Sequence, residues 1–349
     1  MFQLQQGGSL RALLFLVWSV LPALAQWAPQ TSGTDVSLRG VSAVSSKVAW
    51  ASGAKGAVLR TVDGGDHWDK LNLPEAKQLD LRDIQGFSEN TAYVLSIGPG
   101  EQSRIYKTTD AGQHWRPQFI NHDPKAFYDC FAFWDQTHGI AVGDSVDGRF
   151  PLLVTSDGET WTPLSPRSMP PALLNEGAFA ASGTCIATAG KQDVWFATGG
   201  PAARVFHSGD RGRDWTVVNS PLLSGAPPQG IFSVAFRDRK NGVIAGGDYQ
   251  SPDNAHGNLA TTRDGGAHWE LAKAPPAGYR SAVAFVAGAA GNLLIAVGTT
   301  GSDYSIDGGT TWRPLDKAEY NAVTFAGATT GWAVGPKGRI AKFAGLPRQ

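Results

Sequence analysis

Short apolar stretches with the alternation of β-strands, separated by glycine-rich turns, recur along most of the chain. The first two cover residues 41–44 and 48–50, and comparable pairs precede each of six similar turns. Another short extended stretch follows each turn, so that one unit comprises four strands with the turn between the third and the fourth. The pattern therefore predicts an all-β protein built from a repeated antiparallel unit.

The six turns share the pattern Ser/Thr-x-Asp-x-Gly-x-x-Trp, as in Thr61–Trp68, although the copy around Asp157 is one residue shorter. The carboxylate can accept backbone N–H groups of the turn, the glycine can adopt a positive φ, and the tryptophan can be buried. Metal-binding or catalytic carboxylates are the weaker alternative, because six similar hairpins explain six copies of a turn device. The shared aspartates, 43 to 54 residues apart, are Asp63, Asp110, Asp157, Asp210, Asp264 and Asp307.

These spacings are typical of one blade of a β-propeller. After the sixth turn the chain supplies three more strand-like stretches, at 321–325, 331–335 and 339–343, but no fourth. Residues 27–29, Trp-Ala-Pro, resemble the Trp-x-Pro sequences that end three of the repeats. We therefore predict a seven-bladed β-propeller of four-stranded blades, closed by an N-terminal strand that completes the C-terminal blade. An open six-bladed arrangement with frayed ends is the alternative.

The first 25 residues have the order of features found in secretory signal peptides. Arg11 precedes the apolar run 12–20, and Ala23-Leu24-Ala25 supplies the small residues that a signal peptidase requires. A buried N-terminal helix is the alternative. We expect residues 1–25 to be removed and residues 26–349 to form a single propeller, periplasmic or extracellular and without membrane insertion, since the apolar run is too short to span a bilayer.

Charge and composition narrow the classes of partner. Thirty basic and thirty acidic side chains cancel, so no overall field attracts nucleic acid or an anionic membrane. The 43 glycines, 12 tryptophans and 17% charged residues are typical of a turn-rich, aromatic-rich fold. We expect a monomer, because a closed propeller has no exposed strand edge that requires a partner.

The innermost strands of the seven predicted blades can be aligned with one another. In a propeller these strands start at the mouth of the central channel, on the face opposite the aspartate-containing turns. Guanidinium groups at such an opening can bind a carboxylate, a sulfate or an acidic peptide. The alternative is that each arginine pairs with a local aspartate and only lines the rim. The alignment predicts one face with Arg39, Arg82, Arg280, Tyr128 and Tyr320, beside Asp83 and Asp129.

Loops between the second and third strands are expected to reach the same face. Two of them are longer and richer in charge than a tight hairpin requires, which is typical of binding loops on a rigid scaffold. The alternative is that these charges are only solvated. The candidate binding residues from these loops and from the connection into blade 4 are Asp144, Arg149, Glu176, Asp248 and Tyr249.

The two cysteines, Cys130 and Cys185, occupy the same register position in neighbouring inner strands. In an oxidising compartment a disulfide is possible there, and two buried free thiols are the alternative. The histidines show no metal-ligand spacing, and no phosphate loop or nucleophile elbow is present. We therefore expect no metal and no cofactor.

The six aspartate-containing turns, the seven units and the ring closure together resemble the Asp-box (BNR) propellers, in which each such turn is called an Asp box. Among these propellers are the photosystem II stability/assembly factor-like family and its secreted bacterial relatives. That resemblance implies a scaffold that binds partner proteins and helps membrane complexes assemble, with a positively charged patch to which Arg39, Arg82 and Arg280 correspond. Sialidases, another Asp-box family, imply an arginine triad and a tyrosine nucleophile, for which Tyr128 or Tyr320 would be available. However, sialidases have six blades, and their Phe-Arg-Ile-Pro signature is absent here.

The sequence thus favours an exported, non-enzymatic propeller that binds a protein partner or an acidic ligand, for example as an assembly or stability factor for an envelope complex. The alternative is a glycoside hydrolase, sialidase-like or other, acting on a glycan at the channel mouth. Such an enzyme would need two carboxylates about 5 to 10 Å apart. The candidates for that pair are Asp83, Asp129, Asp144 and Glu176.

Overall fold

The computed structural model describes residues 26–289 and 292–346. They form seven antiparallel sheets in a ring, which confirms the predicted seven-bladed β-propeller. The predicted signal segment, 1–25, lies outside the described residues. Within the described ranges, no helix is long and apolar enough to cross a membrane.

The strands follow one another in chain order, and every blade runs outward from the channel. Strand β1 (Trp27–Gln30) comes first. Blade 1 contains β2 (Leu38–Ala43), β3 (Ala49–Gly53), β4 (Ala57–Thr61) and β5 (Asp69–Leu71). Blade 2 contains β6 (Asp80–Gly86), β7 (Ala92–Ile97), β8 (Arg104–Thr108) and β9 (Arg116–Ile120). Blade 3 contains β10 (Tyr128–Phe133), β11 (Gly139–Gly143), β12 (Leu152–Thr155) and β13 (Thr162–Leu164).

Blade 5 differs from the others because a fifth, two-residue strand joins its sheet. Blade 4 contains β14 (Ile186–Ala189), β15 (Asp193–Ala197), β17 (Arg204–Ser208) and β18 (Thr216–Asn219). The segment between β15 and β17 forms β16 (Gly199–Gly200), which joins the sheet of blade 5. Blade 5 continues with β19 (Ala226–Phe236), β20 (Gly242–Asp248), β21 (Leu259–Thr262) and β22 (Glu270–Leu271). Blade 6 contains β23 (Ala282–Phe285), β24 (Leu294–Gly298), β25 (Gly301–Ser305) and β26 (Arg313–Asp316). Blade 7 contains β27 (Ala322–Gly327), β28 (Thr330–Val334) and β29 (Ile340–Phe343), and short 3-10 turns lie at Pro74–Ala76 and Gly100–Gln102.

Strand β1 closes the ring as the outermost strand of blade 7. It pairs antiparallel with β29, Trp27 opposite Phe343 and Gln30 opposite Ile340. The Trp27 ring packs against Tyr320 and Phe343, and its indole N–H donates to the Ser302 hydroxyl of blade 6. The predicted closure is therefore confirmed, and it involves side chains as well as the backbone ladder.

Each Asp box folds as a hydrogen-bonded turn, as its residue types predict. In the first box, the Asp63 carboxylate accepts the backbone N–H of His67 (3.0 Å), and the Thr61 hydroxyl accepts that of Gly65 (2.8 Å). Gly65 has a φ of 91°, a conformation that glycine adopts without a steric penalty. The box tryptophan Trp68 is buried. The carboxylates are thus occupied by their own turns.

Candidate functional site

The structure corrects the predicted register of the innermost strands by one residue. Arg39 lies four residues before Ala43, which pairs with Ala49 at the end of the β2–β3 hairpin. Arg82 lies equally far before Gly86, the corresponding residue of blade 2. By the same count, the equivalents of these arginines in blades 3, 6 and 7 are Asp129, Ser281 and Asn321. The predicted members Tyr128, Arg280 and Tyr320 lie one residue earlier, level with Leu38 and Leu81.

This shift matters because neighbouring residues of a strand point to opposite faces. Tyr128, Arg280 and Tyr320 are accordingly buried, as Leu38 and Leu81 are. The guanidinium group of Arg280 is bound to the buried Asp303 carboxylate, with an Nε–Oδ2 distance of 2.7 Å. Arg280 and the two tyrosines therefore belong to the packing of the blades and do not project into the channel mouth.

Tyr128 and Tyr320 are held by aromatic and cationic neighbours. The Tyr128 ring packs edge-on against Phe119, and burial raises the pKa of the Tyr128 phenol to about 12. The Tyr320 ring contacts Trp27, and the Arg339 guanidinium lies 5.9 Å from its centre. Burial also raises the pKa of Tyr320. Raised pKa values disfavour a nucleophilic role for these two phenols, because a nucleophilic tyrosine needs a lowered pKa or an adjacent base.

Arg39 and Arg82 remain at the channel mouth, close enough to influence each other. Burial, and then the charge of Arg82, lowers the pKa of the half-buried Arg39. Arg82 donates to the Asp80 carboxylate (2.8 Å) and to the backbone oxygen of Ala180 (2.9 Å). Among the described residues, the Arg39 guanidinium has no hydrogen bond and no ion pair. Arg39 is therefore the cationic donor that this face leaves available.

Residues 178–184 lie across the mouth of the channel, which the sequence did not predict. The N–H of Ala178 donates to Asp144 of blade 3, and the oxygen of Ala180 accepts from Arg82 of blade 2. On the far side, the Ser182 hydroxyl donates to the Ser281 oxygen beside blade 6 (2.9 Å), and the Thr184 hydroxyl bonds to Ser233 of blade 5 (2.8 Å). We call residues 178–184 the crossing segment; its contacts with four blades leave a surface at the mouth rather than an open pore.

Aromatic side chains border this surface on the side of blades 5 and 6. Phe179 of the crossing segment stacks on Phe232 with 3.8 Å between the ring centres. Phe232 in turn meets Tyr279 and Tyr249 edge-on, at 4.9 and 6.0 Å. Tyr249 is 47% exposed, and burial raises the pKa of Tyr279 although Arg39 opposes this. Sequence reasoning missed Tyr279 and Phe232, although Phe232 occupies the same strand position as Arg39.

Three of the candidate carboxylates lie beneath the crossing segment. Asp83 accepts the N–H of Phe131 (2.8 Å), and a side chain at Gly183 would come within 2.4 Å of its oxygen. Asp144 accepts the N–H of Ala178 (3.0 Å). Burial raises the pKa of Asp83, and burial together with the charge of Asp144 raises that of Asp129. These groups thus support the backbone around the crossing segment.

The remaining candidates from the loops have separate surroundings. The Glu176 carboxylate is buried in an ion pair with Arg204 and also accepts the Thr198 hydroxyl (2.6 Å) and the N–H of Leu173 (2.8 Å). Asp248 is buried and caps its own loop by accepting the N–H of Gln250 (2.9 Å). Arg149 is exposed. Within the ranges that the structure covers, no cluster of three or more His, Cys, Asp or Glu side chains is arranged to hold a metal ion.

Replacing Asp144 with asparagine is expected to flatten the pH dependence of stability between about pH 4 and pH 6. Burial raises the pKa of Asp144 to about 6, so the folded protein retains a proton that the unfolded chain releases at lower pH. The resulting stability is fully present below the unfolded pKa and is lost as pH rises through about 6. Asparagine keeps the acceptor for Ala178 without the charge.

Thermal unfolding from pH 4 to pH 7.5 measures this effect. The melting temperature of the wild type should fall more steeply with rising pH than that of the variant. The corresponding difference in the free energy of unfolding is about 1–2 kcal/mol, less than the full pKa shift would give, because part of the Asp144 side chain is exposed. Asp147→Asn, an exposed position in the same loop, is the control. Parallel curves for Asp144→Asn and the wild type would contradict the assignment.

Comparison with known proteins yields no matching family model. Two relatives are similar in sequence. The photosystem II stability/assembly factor HCF136, chloroplastic, of Arabidopsis thaliana is 25% identical over 241 residues, 65% of this chain and 54% of the relative. The photosystem II assembly lipoprotein Ycf48 of Synechococcus sp. (strain CC9902) is 25% identical over 257 residues, 71% of this chain and 68% of the relative. The chain thus spans about half the length of the Arabidopsis protein.

Two solved structures of YCF48 proteins share the fold of this chain. The structure of YCF48 bound to D1 peptide aligns with a TM-score of 0.63 and 14% identity, over 92% of this chain and 97% of that one. YCF48 from Cyanidioschyzon merolae aligns with a TM-score of 0.65 and 18% identity, over 91% and 98%. The predicted resemblance to the photosystem II assembly factors is therefore confirmed, weakly in sequence and over nearly the whole chain in fold.

Proposed function

We propose that this chain is a non-enzymatic scaffold that binds a protein partner on the surface formed by Arg39, Arg82, Tyr249 and the crossing segment. The observation that carries the proposal is the Arg39 guanidinium, which is half-buried and makes no hydrogen bond or ion pair among the described residues, with only the longer-range charges of Asp80 and Glu319 in its favour. Desolvating a charge without pairing it is unfavourable, so a ligand carboxylate that pairs with it gains both the ion pair and the hydrogen bonds. The exposed Tyr249 ring on the same face suits an apolar side chain of the partner.

The similar proteins support a protein partner. The two relatives are named as assembly factors, and one structure of the same fold is described as bound to a D1 peptide. By analogy, we propose that the partner of this chain presents an acidic segment or a chain terminus to Arg39. A role in assembling a membrane complex of the cell envelope rests on the same analogy.

Export is part of the proposal. A disulfide joins Cys130 and Cys185, and such bonds persist in oxidising compartments, the periplasm or the extracellular space. The signal-like residues 1–25 support the same compartment.

A glycoside hydrolase is less well supported. A hydrolytic pair needs two carboxylates that face a substrate. Asp83 and Asp129 are buried beneath the crossing segment, and Glu176 is saturated by Arg204, Thr198 and Leu173.

The double variant Arg39→Gln, Arg82→Gln is expected to weaken partner binding at least ten-fold, because each lost hydrogen bond to a charged group contributes about 1.5–3 kcal/mol. The partner is first captured by cross-linking the purified protein in its native envelope extract, and the dissociation constant is then measured by calorimetry. Arg149→Gln, which removes an exposed arginine outside this group, is the control. Equal affinity of the double variant, or hydrolysis of a glycan by the wild type, would overturn the proposal.

A further inference from the structure

Within the part of the chain that the structure describes, three blades carry a cation that bridges the groove to the next blade. The cation lies on the third strand of its blade. In blades 1 and 2 it directly precedes the serine or threonine that begins the Asp box, and in blade 7, which has no Asp box, it precedes the last residue of β29. The cation sits over an aromatic ring of its own second strand and donates to a box carbonyl of the following blade. The bridges are Arg60 over Trp50 to Ala111 (3.2 Å), Lys107 over Tyr93 to Gly158 (2.8 Å), and Lys342 over Trp332 to Gly64 (3.0 Å).

Blade 4 has a histidine at this position instead. His207 stacks on Trp195, with 4.6 Å between ring centres and 10° between the planes. Its Nε2 is 3.0 Å from the Asp193 carboxylate, and the box carbonyl of blade 5, at Gly265, accepts the indole N–H of Trp195 instead (2.8 Å). Among the described residues, His207 makes no hydrogen bond to the next blade; instead Arg239 of blade 5 pairs with Asp193 of blade 4, and a groove of about 570 Å³ lies between the two blades.

Asp193 organises one wall of this groove. The residue is only 4% exposed, and its carboxylate pairs with both His207 and the Nε of Arg239 (2.6 Å). Because a carboxylate can only accept, the neutral imidazole carries its proton on Nε2. The histidine ring is thereby fixed in place, one third of its side chain is exposed, and Trp195 covers one of its faces.

The rest of the groove combines an apolar floor with a cationic rim. Val205 and Val218 form the floor, and the exposed Lys240 lies at the rim beside Arg239. The Lys240 ammonium has no partner among the described residues. Asp264 also lines the groove, but it accepts the backbone N–H of His268 (3.0 Å) and faces the His268 ring (2.7 Å), so its carboxylate is engaged by its own turn.

We propose that this groove binds a small molecule with a planar ring and a carboxylate, an aromatic acid. The ring packs against the fixed His207 imidazole and the valine floor, and the carboxylate pairs with Lys240 and Arg239. The groove is on the side of the Asp boxes, opposite the surface that carries Arg39. This ligand is therefore independent of the protein partner proposed above.

Titration of the purified protein with phenylacetate, followed by two-dimensional amide NMR, tests the site. Phenylacetate is expected to shift the Gly266 and Thr216 amide signals, whereas the neutral 2-phenylethanol is expected to bind several-fold more weakly. Lys240→Gln should weaken binding about two- to five-fold, as expected for an exposed ion pair, and His207→Ala about three- to ten-fold through loss of the stacked ring. Lys47→Gln changes the equivalent hairpin lysine of blade 1, where Lys342 bridges the groove, and should leave binding unchanged.

Two results would overturn the proposal. One is the absence of shifts in the groove at millimolar phenylacetate, and the other is equal affinity of the wild type and Lys240→Gln. Should His207→Ala fail to fold, Lys240→Gln decides the question alone, because an exposed lysine is not needed for folding. Equal binding of 2-phenylethanol and phenylacetate would also contradict the carboxylate requirement.

Discussion

Replacing Cys130 and Cys185 together with alanine is expected to lower the free energy of unfolding by roughly 2–4 kcal/mol. The disulfide links the first strand of blade 3 to the residue just before the first strand of blade 4, with 6.1 Å between the Cα atoms. The disulfide closes a loop across 55 residues of sequence, and Cys185 directly follows the last residue of the crossing segment. Its loss gives the unfolded chain more conformations, and also frees one end of the crossing segment.

Urea unfolding of the double variant beside the oxidised and the reduced wild type measures this contribution. The reduced wild type and the double variant should have similar midpoints, both well below that of the oxidised protein. Amide exchange in residues 178–184 should also become faster in the double variant. An unchanged urea midpoint would mean that packing of the two buried side chains, rather than the bond, holds this junction.

The fold could be predicted because its determinants are local and repeated. Each Asp box brings its own hydrogen-bond acceptor, glycine and buried tryptophan, as Asp63, Gly65 and Trp68 illustrate. Six such turns, at intervals typical of one propeller blade, therefore predict a β-propeller. The closure was also visible, because Trp27 begins a fragment that the C-terminal blade lacks.

The register of the inner strands could not be predicted in the same way. The pairing of β2, β6 and β10 shifts by one residue at Arg39, Arg82 and Asp129, which is the signature of a β-bulge. No residue type demands a bulge there, and an alignment on apolar residues places Arg280 level with Arg39. A slip of one residue then exchanges a channel-facing side chain for a buried one.

The crossing segment was missed for a different reason. Its hydrogen bonds join residues far apart in sequence, such as Ser182 with Ser281 and Ala180 with Arg82. Small residues without charge, as in 180–184, give no sequence signal of such contacts. Of the three predicted arginines, Arg39 and Arg82 therefore lie on this face, the crossing segment covers the channel, and Phe232 and Tyr279 pack beneath the surface.

Arg280 and Arg39, which the sequence alignment placed at equivalent positions, are expected to respond differently to substitution by methionine. Arg280→Met should lower the free energy of unfolding by about 3–5 kcal/mol, because it leaves the Asp303 carboxylate buried without its partner. The two side chains are only 1% and 2% exposed, and Arg280 also donates to the backbone oxygen of Tyr279 (2.7 Å). Burial already raises the pKa of Asp303, against the opposing effect of Arg280.

Arg39→Met should leave the free energy of unfolding unchanged or slightly higher, since burial and the charge of Arg82 disfavour the Arg39 charge more than Asp80 and Glu319 favour it. Partner binding, in contrast, should be lost with Arg39 and not with any well-folded variant at position 280. Adding Asp303→Leu to Arg280→Met should restore much of the lost stability, as replacement of a whole buried ion pair by apolar residues often does. If urea unfolding instead gave Arg280→Met wild-type stability together with weakened partner binding, Arg280 would belong to the binding surface, and the one-residue correction of the register would be wrong.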